Sequence, residues 1–324
     1  MRPKNSLTQK MNSFIKKITL ICVGVLVAKV SHAQTISDGF MMQKKQVCIA
    51  TSYNHSSFTY YWEGTLLREN KSLGRLYNQN FGAMVAYGLG KNLNLLASLP
   101  YIKTNSGATT SGHQGLQDLS VGLKHNPVSI TFSNDDKNNI SRLNLFTIAN
   151  FSMPASNYYP DYLPFSIGVG SRNYLLGATL GYLGAKGLIV NLNGSYTFRN
   201  NIKLERNFYY TDRAYYTNEV FMPNVSQFNA SVGYRLNSEF RILGWYNQYN
   251  TLGGFDIRRN DMPFPSNNVD MSRISTELLY RPKELNSQWG IMAGGGYTLK
   301  GRNTGQTANV SFGIVYQTKK TSTN

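Results

Sequence analysis

The chain has 324 residues, a formal net charge of +17, 13% aromatic residues and two cysteines. That length allows one large domain or two small ones. Two cysteines, one of them in an N-terminal leader, exclude a small fold stapled by internal disulfides.

The first 33 residues read as a cleaved signal peptide. Met11 to Lys17 is a short positive segment, Ile18 to Ala28 is an apolar run, and Ser31-His32-Ala33 places small residues where a signal peptidase reads them. Gln34 is then the mature N-terminus. The apolar run has 11 residues, against the roughly 20 a helix needs to span a bilayer. A retained N-terminal anchor is the alternative reading. Met1 to Lys10 is either an extended leader or an upstream start, and Cys22 has no small residue before it, so it does not read as a lipidation site. Removing Arg2, Lys4, Lys10, Lys16, Lys17 and Lys29 leaves a basic chain with Cys48 as its one cysteine. Outside the cell, nucleic acid is not an expected partner. Outer-membrane lipids, the lipopolysaccharide surface and anionic solutes are.

Segment 34–45 is expected on the periplasmic side, where it or a loop could also plug a lumen. From residue 46 to 317 apolar and polar residues alternate in 12 runs of strand length. The first is Val47 to Tyr53. Phe81 to Tyr87 and Leu93 to Tyr101 follow around a Gly88–Asn92 turn, then Leu119 to Leu123 and Leu143 to Phe151. Tyr174 to Tyr182 and Leu188 to Phe198 flank Gly184–Gly187. Phe228 to Leu236 meets Phe240 and Ile242 across Asn237-Ser238, and Ile274 to Tyr280, Trp289 to Tyr297 and Ala308 to Tyr316 complete the set. Short turns follow the even-numbered runs and longer polar segments the odd ones, the plan of an antiparallel up-and-down barrel in the outer membrane. Asn126 to Ser141 is too long for a neat turn, and Phe58 to Leu66 is long enough to hide another strand. A polar tail, 318–324, ends the chain.

Tyr and Trp favour bilayer interfaces. With the runs oriented alternately, Tyr87, Tyr182, Tyr234, Tyr280, Trp289 and Tyr316 form a periplasmic belt. Tyr53, Phe81, Tyr101, Phe151, Tyr174 and Phe228 are among those forming an outer one. A soluble β-sandwich or lipocalin-like barrel also alternates, but does not need aromatics at both ends of its strands. The complementary face is small and polar, as in Asn191, Asn193, Ser195 and Thr197. It also carries Asp118, Lys124, Arg142, Arg235, Arg241, Arg273, Glu277 and Arg281. On the lipid face a basic residue costs about 2–4 kcal/mol at mid-membrane, so these eight are assigned to the lumen. They form either an electropositive constriction that favours anions or a salt-bridge network with rim residues in water.

Gly115-Leu116-Gln117-Asp118-Leu119-Ser120-Val121-Gly122-Leu123-Lys124-His125, with the preceding hairpin ending Leu99-Pro100-Tyr101, resembles the outer-membrane barrels of the meta-pathway phenol-degradation family. These are in turn loosely similar to fatty-acid and aromatic-hydrocarbon transport barrels. The resemblance covers residues 80–125 and implies a barrel that admits small, often hydrophobic, solutes. Asp118 and Lys124, six residues apart on one strand face, are expected to brace the wall.

The expected function is a channel or transporter for small hydrophobic or anionic solutes. The alternatives are a structural or accessory barrel of a surface or secretion complex, and an outer-membrane lipid hydrolase using His55 and Ser57. No other feature points to an enzyme. His113 and His125 lack clustered carboxylates or thiols, so no metal site is expected, and no cofactor is either.

Overall fold

A computed structural model describes residues 36–109, 112–133, 140–211, 213–259, 261–282 and 288–319. The signal segment 1–33 and the end of the polar tail, 320–324, lie outside the described residues. Twelve long strands form the wall: β1 (Val47–Phe58), β2 (Leu76–Gly88), β3 (Leu93–Ser106), β4 (Asp118–Ser133), β5 (Ile140–Pro154), β6 (Asn173–Leu183), β7 (Leu188–Arg199), β8 (Val225–Arg235), β9 (Phe240–Thr251), β10 (Asp270–Tyr280), β11 (Trp289–Arg302) and β12 (Ala308–Gln317). Each pairs antiparallel with its neighbours in sequence. β1 also pairs with β12, from Cys48 opposite Gln317 to Ser57 opposite Ala308, and this closes the barrel. Every expected run lies in one of these strands, except that Leu236 falls just past the end of β8.

Alternation decides the faces because side chains on a strand point to opposite sides with period two. Ile49, Val85, Leu123, Leu176, Val232, Leu278, Ile291 and Phe312 are exposed on the outside. Leu96, Lys124, Ile148, Asn191, Ser231, Arg241 and Val315 are buried on the inside. An apolar exterior around a partly polar interior is unstable in water and stable in lipid, so the chain is an integral outer-membrane barrel. Aromatic rings pair across neighbouring strands near both ends. Tyr53 and Phe81 are 4.8 Å apart and Phe151 and Tyr174 5.1 Å apart on the outer side. Phe240 and Tyr280 (4.4 Å) and Trp289 and Tyr316 (4.8 Å) do the same on the periplasmic side.

Three details differ from the sequence reading. Asn126–Ser141 is mostly strand: β4 and β5 run on as a hairpin, past a register shift between His125 and Val128. Pro127 lies in that shift, where a residue without an N–H costs no ladder bond; the tip, 134–139, is outside the described residues. Phe58–Leu66 does not add a wall strand, because Tyr60–Glu63 pairs locally with Leu66–Glu69. The β11–β12 connection, Asn303–Thr307, is short rather than long.

The outer loops pack on one another. Ile202, Leu204, Tyr209, Val220 and Met222 of the β7–β8 loop form a buried apolar cluster with Phe264 of the β9–β10 loop. Arg302, at the end of β11, donates to both carboxylate oxygens of Asp256 at 2.7 and 2.8 Å, and the Asn303 side chain donates to the same group at 2.7 Å. Asn303 accepts in turn from the backbone N–H of Gly64 at 2.8 Å. Three loops are thereby tied at one point.

Candidate functional site: a lumen closed by the N-terminal segment

Residues 36–46 enter the barrel and pack against its lumenal wall. The turn that admits them lies at the periplasmic rim. There the Lys45 N–H donates to Gly88 O at 2.7 Å, and Gly88 N–H donates back to Gln46 O at 2.9 Å. The Gln46 side chain holds the last strand's exit by donating to Thr318 O at 3.2 Å.

Asp38 is the centre of the plug. Its carboxylate accepts from Lys124 Nζ at 2.7 Å and from the Phe40 N–H at 3.0 Å, and its backbone oxygen accepts from the same Nζ at 2.6 Å. The Lys124 side chain is fully buried, with its ammonium 5.0 Å from the centre of the Phe146 ring. Charges so buried persist only when each has the other and further hydrogen bonds. Thr179 donates to Ser37 O at 3.2 Å. Gly39 lies where a Cβ would overlap the Asn191 side chain and crowd Gly181 on the wall, so the plug backbone passes where no larger residue fits. A Cβ at Gly122 would collide with Ile36. Met42 then enters a buried cluster with Cys48, Ala86, Leu96, Leu279 and Val315.

Above the plug the lumenal face is polar and small. Asn247 donates to Asn229 at 2.7 Å, Asn229 to Asn193 at 2.8 Å, and Asn193 to Thr179 at 2.8 Å, a ladder around four strands. Asn191 donates to Ser231 at 2.9 Å. Between plug and loops lies a cavity of about 340 Å³, with Asp38, Phe40 and Arg241 at its plug end and Met84, Trp245 and Met292 among its walls. A wider vestibule of about 820 Å³ opens under the loops, lined by Phe264, Ile257 and Leu163 and by Arg68, Arg199 and Arg259.

The eight charged residues assigned to the lumen separate into groups. Lys124 holds the plug. Arg241, 5% exposed, pairs with Glu277 at 2.8 Å while its guanidinium lies 4.5 Å from the centre of the Phe40 ring. Arg235 and Arg281 lie close enough to Arg241 for their charges to interact. Arg273 reaches Asn309, further toward the outside. Arg142 is exposed at the periplasmic rim. Asp118 lies at the outer end of β4 and accepts from Tyr158 of the β5–β6 loop at 2.6 Å. Burial, and then that same bond, push the Tyr158 hydroxyl's pKa upward, so it remains a donor. Asp118 and Lys124 do share a face, but each pins a separate non-wall segment, a loop above and the plug below. Sequence reasoning missed Asp38, Phe40, Trp245 and Met84. One signal was available: an aspartate and a glycine in a short segment next to a membrane barrel whose wall carries a buried-face lysine.

His55 and Ser57 occupy outward positions at the outer end of β1, away from the lumen. The His55 ring lies 5.9 Å from that of Tyr77.

No protein-family model matches the chain, and no curated protein matches it. The resemblance to the phenol-degradation barrels therefore has no support beyond its motif. Among solved structures the chain is similar to an outer membrane channel from Pseudomonas putida F1, at 12% identity and a TM-score of 0.63, over 89% of this chain and 100% of that one. At that identity the likeness speaks to the fold. The NanC porin is matched at 12% identity, a TM-score of 0.43, and 85% and 100% coverage. A monoaromatic hydrocarbon channel mutant, TodX, is matched at 7%, 0.40, and 87% and 92%. Scores this low carry no argument.

Proposed function

We propose that the protein is a gated outer-membrane channel for small solutes, with residues 36–46 as its gate on the periplasmic side. The observation that supports this reading is the cavity of about 340 Å³ between plug and loops. Its walls combine polar side chains such as Asn54, Asn80 and Ser98 with the apolar Met84, Trp245 and Met292. A barrel serving as scaffold alone has no need of such a space. The lipid-facing belt contacts outer-membrane lipids and lipopolysaccharide. Hydrophobic or anionic solutes suit the mixed apolar and cationic lining. The finer resemblance, to barrels admitting aromatic solutes, agrees with this lining and adds no residue to it.

The test is reconstitution. Mature protein folded into liposomes should pass small solutes slowly, as read by swelling and ion conductance, and removal of residues 34–42 should raise both at least tenfold. A folded barrel that passes nothing with or without that segment overturns the reading.

One observation favours a second role as an interaction barrel. Tyr210, Tyr216 and Phe221 of the β7–β8 loop are exposed at 61%, 86% and 67%. Aromatic residues so placed suit contact with another surface. Crosslinking from position 216 in native membranes that recovers no protein removes it.

A further inference from the structure

Arg241 is the least satisfied charge beside the cavity. Nη2 donates to Glu277, but Nε and Nη1 have no acceptor among the described residues and are too covered for a water to reach. A buried donor without an acceptor costs about 1–3 kcal/mol, so two on one side chain call for a reason. The Phe40 ring lies over this guanidinium. A ring face attracts a cation but cannot accept those hydrogen bonds as an anion would. The two acids at the cavity, Asp38 and Glu277, are already engaged by Lys124 and Arg241. Arg235 and Arg281 add positive charge beside Arg241.

We propose that the cavity binds a compact organic monoanion, its anionic group on Arg241 and its apolar body against Met84, Trp245 and Met292, and that this ligand competes with Phe40 for the guanidinium. The proposal rests on the channel reading and names the solute class. An oxyanion meets the unmatched N–H groups with charge-assisted bonds, while the methionine and tryptophan walls take up an apolar ring or branched chain. Because Phe40 follows two residues after Asp38, a ligand that displaces the ring pulls on the anchor of the plug. Solute binding and gate release are thus one event.

The probe is radiolabelled benzoate in equilibrium dialysis against the full mature barrel in nanodiscs, with benzamide as its neutral counterpart. Benzoate should bind saturably, and benzamide should compete at least tenfold more weakly. Arg241→Gln should weaken benzoate at least tenfold. If that variant fails the heat-dependent gel shift of a folded barrel, Arg241→Gln with Glu277→Gln keeps the local charge balanced and should show the same loss. Phe40→Ala should tighten benzoate severalfold by removing the competitor. Equal competition by benzamide, unchanged affinity in the folded arginine variants, weaker binding in Phe40→Ala, or no saturable binding each overturn the proposal. The channel reading is scored separately by flux. Binding without any solute flux overturns the channel and leaves the site, and flux of neutral sugars without benzoate binding does the reverse.

Discussion

The two halves of the lumen are built from the same strands but by opposite rules. On the periplasmic side, plug and wall pack as a protein core does: Met42, Cys48, Leu96, Leu279 and Val315 are almost completely buried, and the Lys124–Asp38 ion pair is sealed. Toward the outside, asparagine, serine and glycine leave space and present hydrogen-bonding groups to it. The difference teaches where the barrier lies. On the channel reading proposed above, a solute meets the wet half first and is stopped by a close-packed one, which makes the barrier the plug segment rather than the wall itself.

The largest expected effect comes from breaking the sealed pair. Lys124→Met leaves Asp38 buried without its cation, which costs about 3–5 kcal/mol. The plug should leave its site, so that the N-terminal segment becomes protease-sensitive and conductance rises, while the barrel still shows its gel shift. Pairing it with Asp38→Leu should restore protection. A protected segment in the single variant would mean that Met42 and the apolar cluster hold the plug alone.

Next is the close approach at Gly39. Gly39→Val forces overlap with Asn191, and overpacking of this kind costs about 1–3 kcal/mol. Partial loss of protection is expected, and adding Asn191→Ala should recover part of it. A smaller effect is expected in the wet half. Asn229→Ala removes two ladder bonds at about 1 kcal/mol each, lowering the unfolding midpoint slightly without exposing the plug. If it does expose the plug, the two halves are coupled and the comparison fails.

The smallest effect is pH-dependent and confined to the loops. Hydrogen bonds from Arg302, and then Asn303, hold the Asp256 carboxyl below its ordinary value of 3.8. A depressed folded-state value means the contribution is complete above the ordinary value and is lost as pH falls below it. Because the side chain is 42% exposed, the effect should be slight. Loop proteolysis should increase modestly below about pH 4, and Asp256→Asn should be equally labile at all pH values. An unchanged pH profile in that variant would assign the acid sensitivity elsewhere.

Much of the wall was legible because its physics is local. Period two assigns each residue a face, and the cost of a lipid-facing charge assigns Lys124, Arg241 and Glu277 inward. Even the odd Asn126–Ser141 stretch was visible as an anomaly, though not as a bulged extension of two strands. The roles of the charges were not legible. Asp118 and Lys124 look alike in sequence, yet one receives a loop tyrosine and the other a plug aspartate, 80 or more positions from it for the plug.

By itself the sequence determined an antiparallel barrel of about 12 strands, the lipid-facing and lumenal faces, and the aromatic belts, since each follows from spacing along one strand, while closure at 12 strands was settled by the pairing of β1 with β12. Only the tertiary structure decided that residues 36–46 fill the periplasmic half and that Phe40 covers Arg241. That segment has no periodicity, and its partners Gly122, Lys124, Gly181, Asn191 and Arg241 lie on four different strands. They converge only when β1 meets β12 and the sheet closes around them.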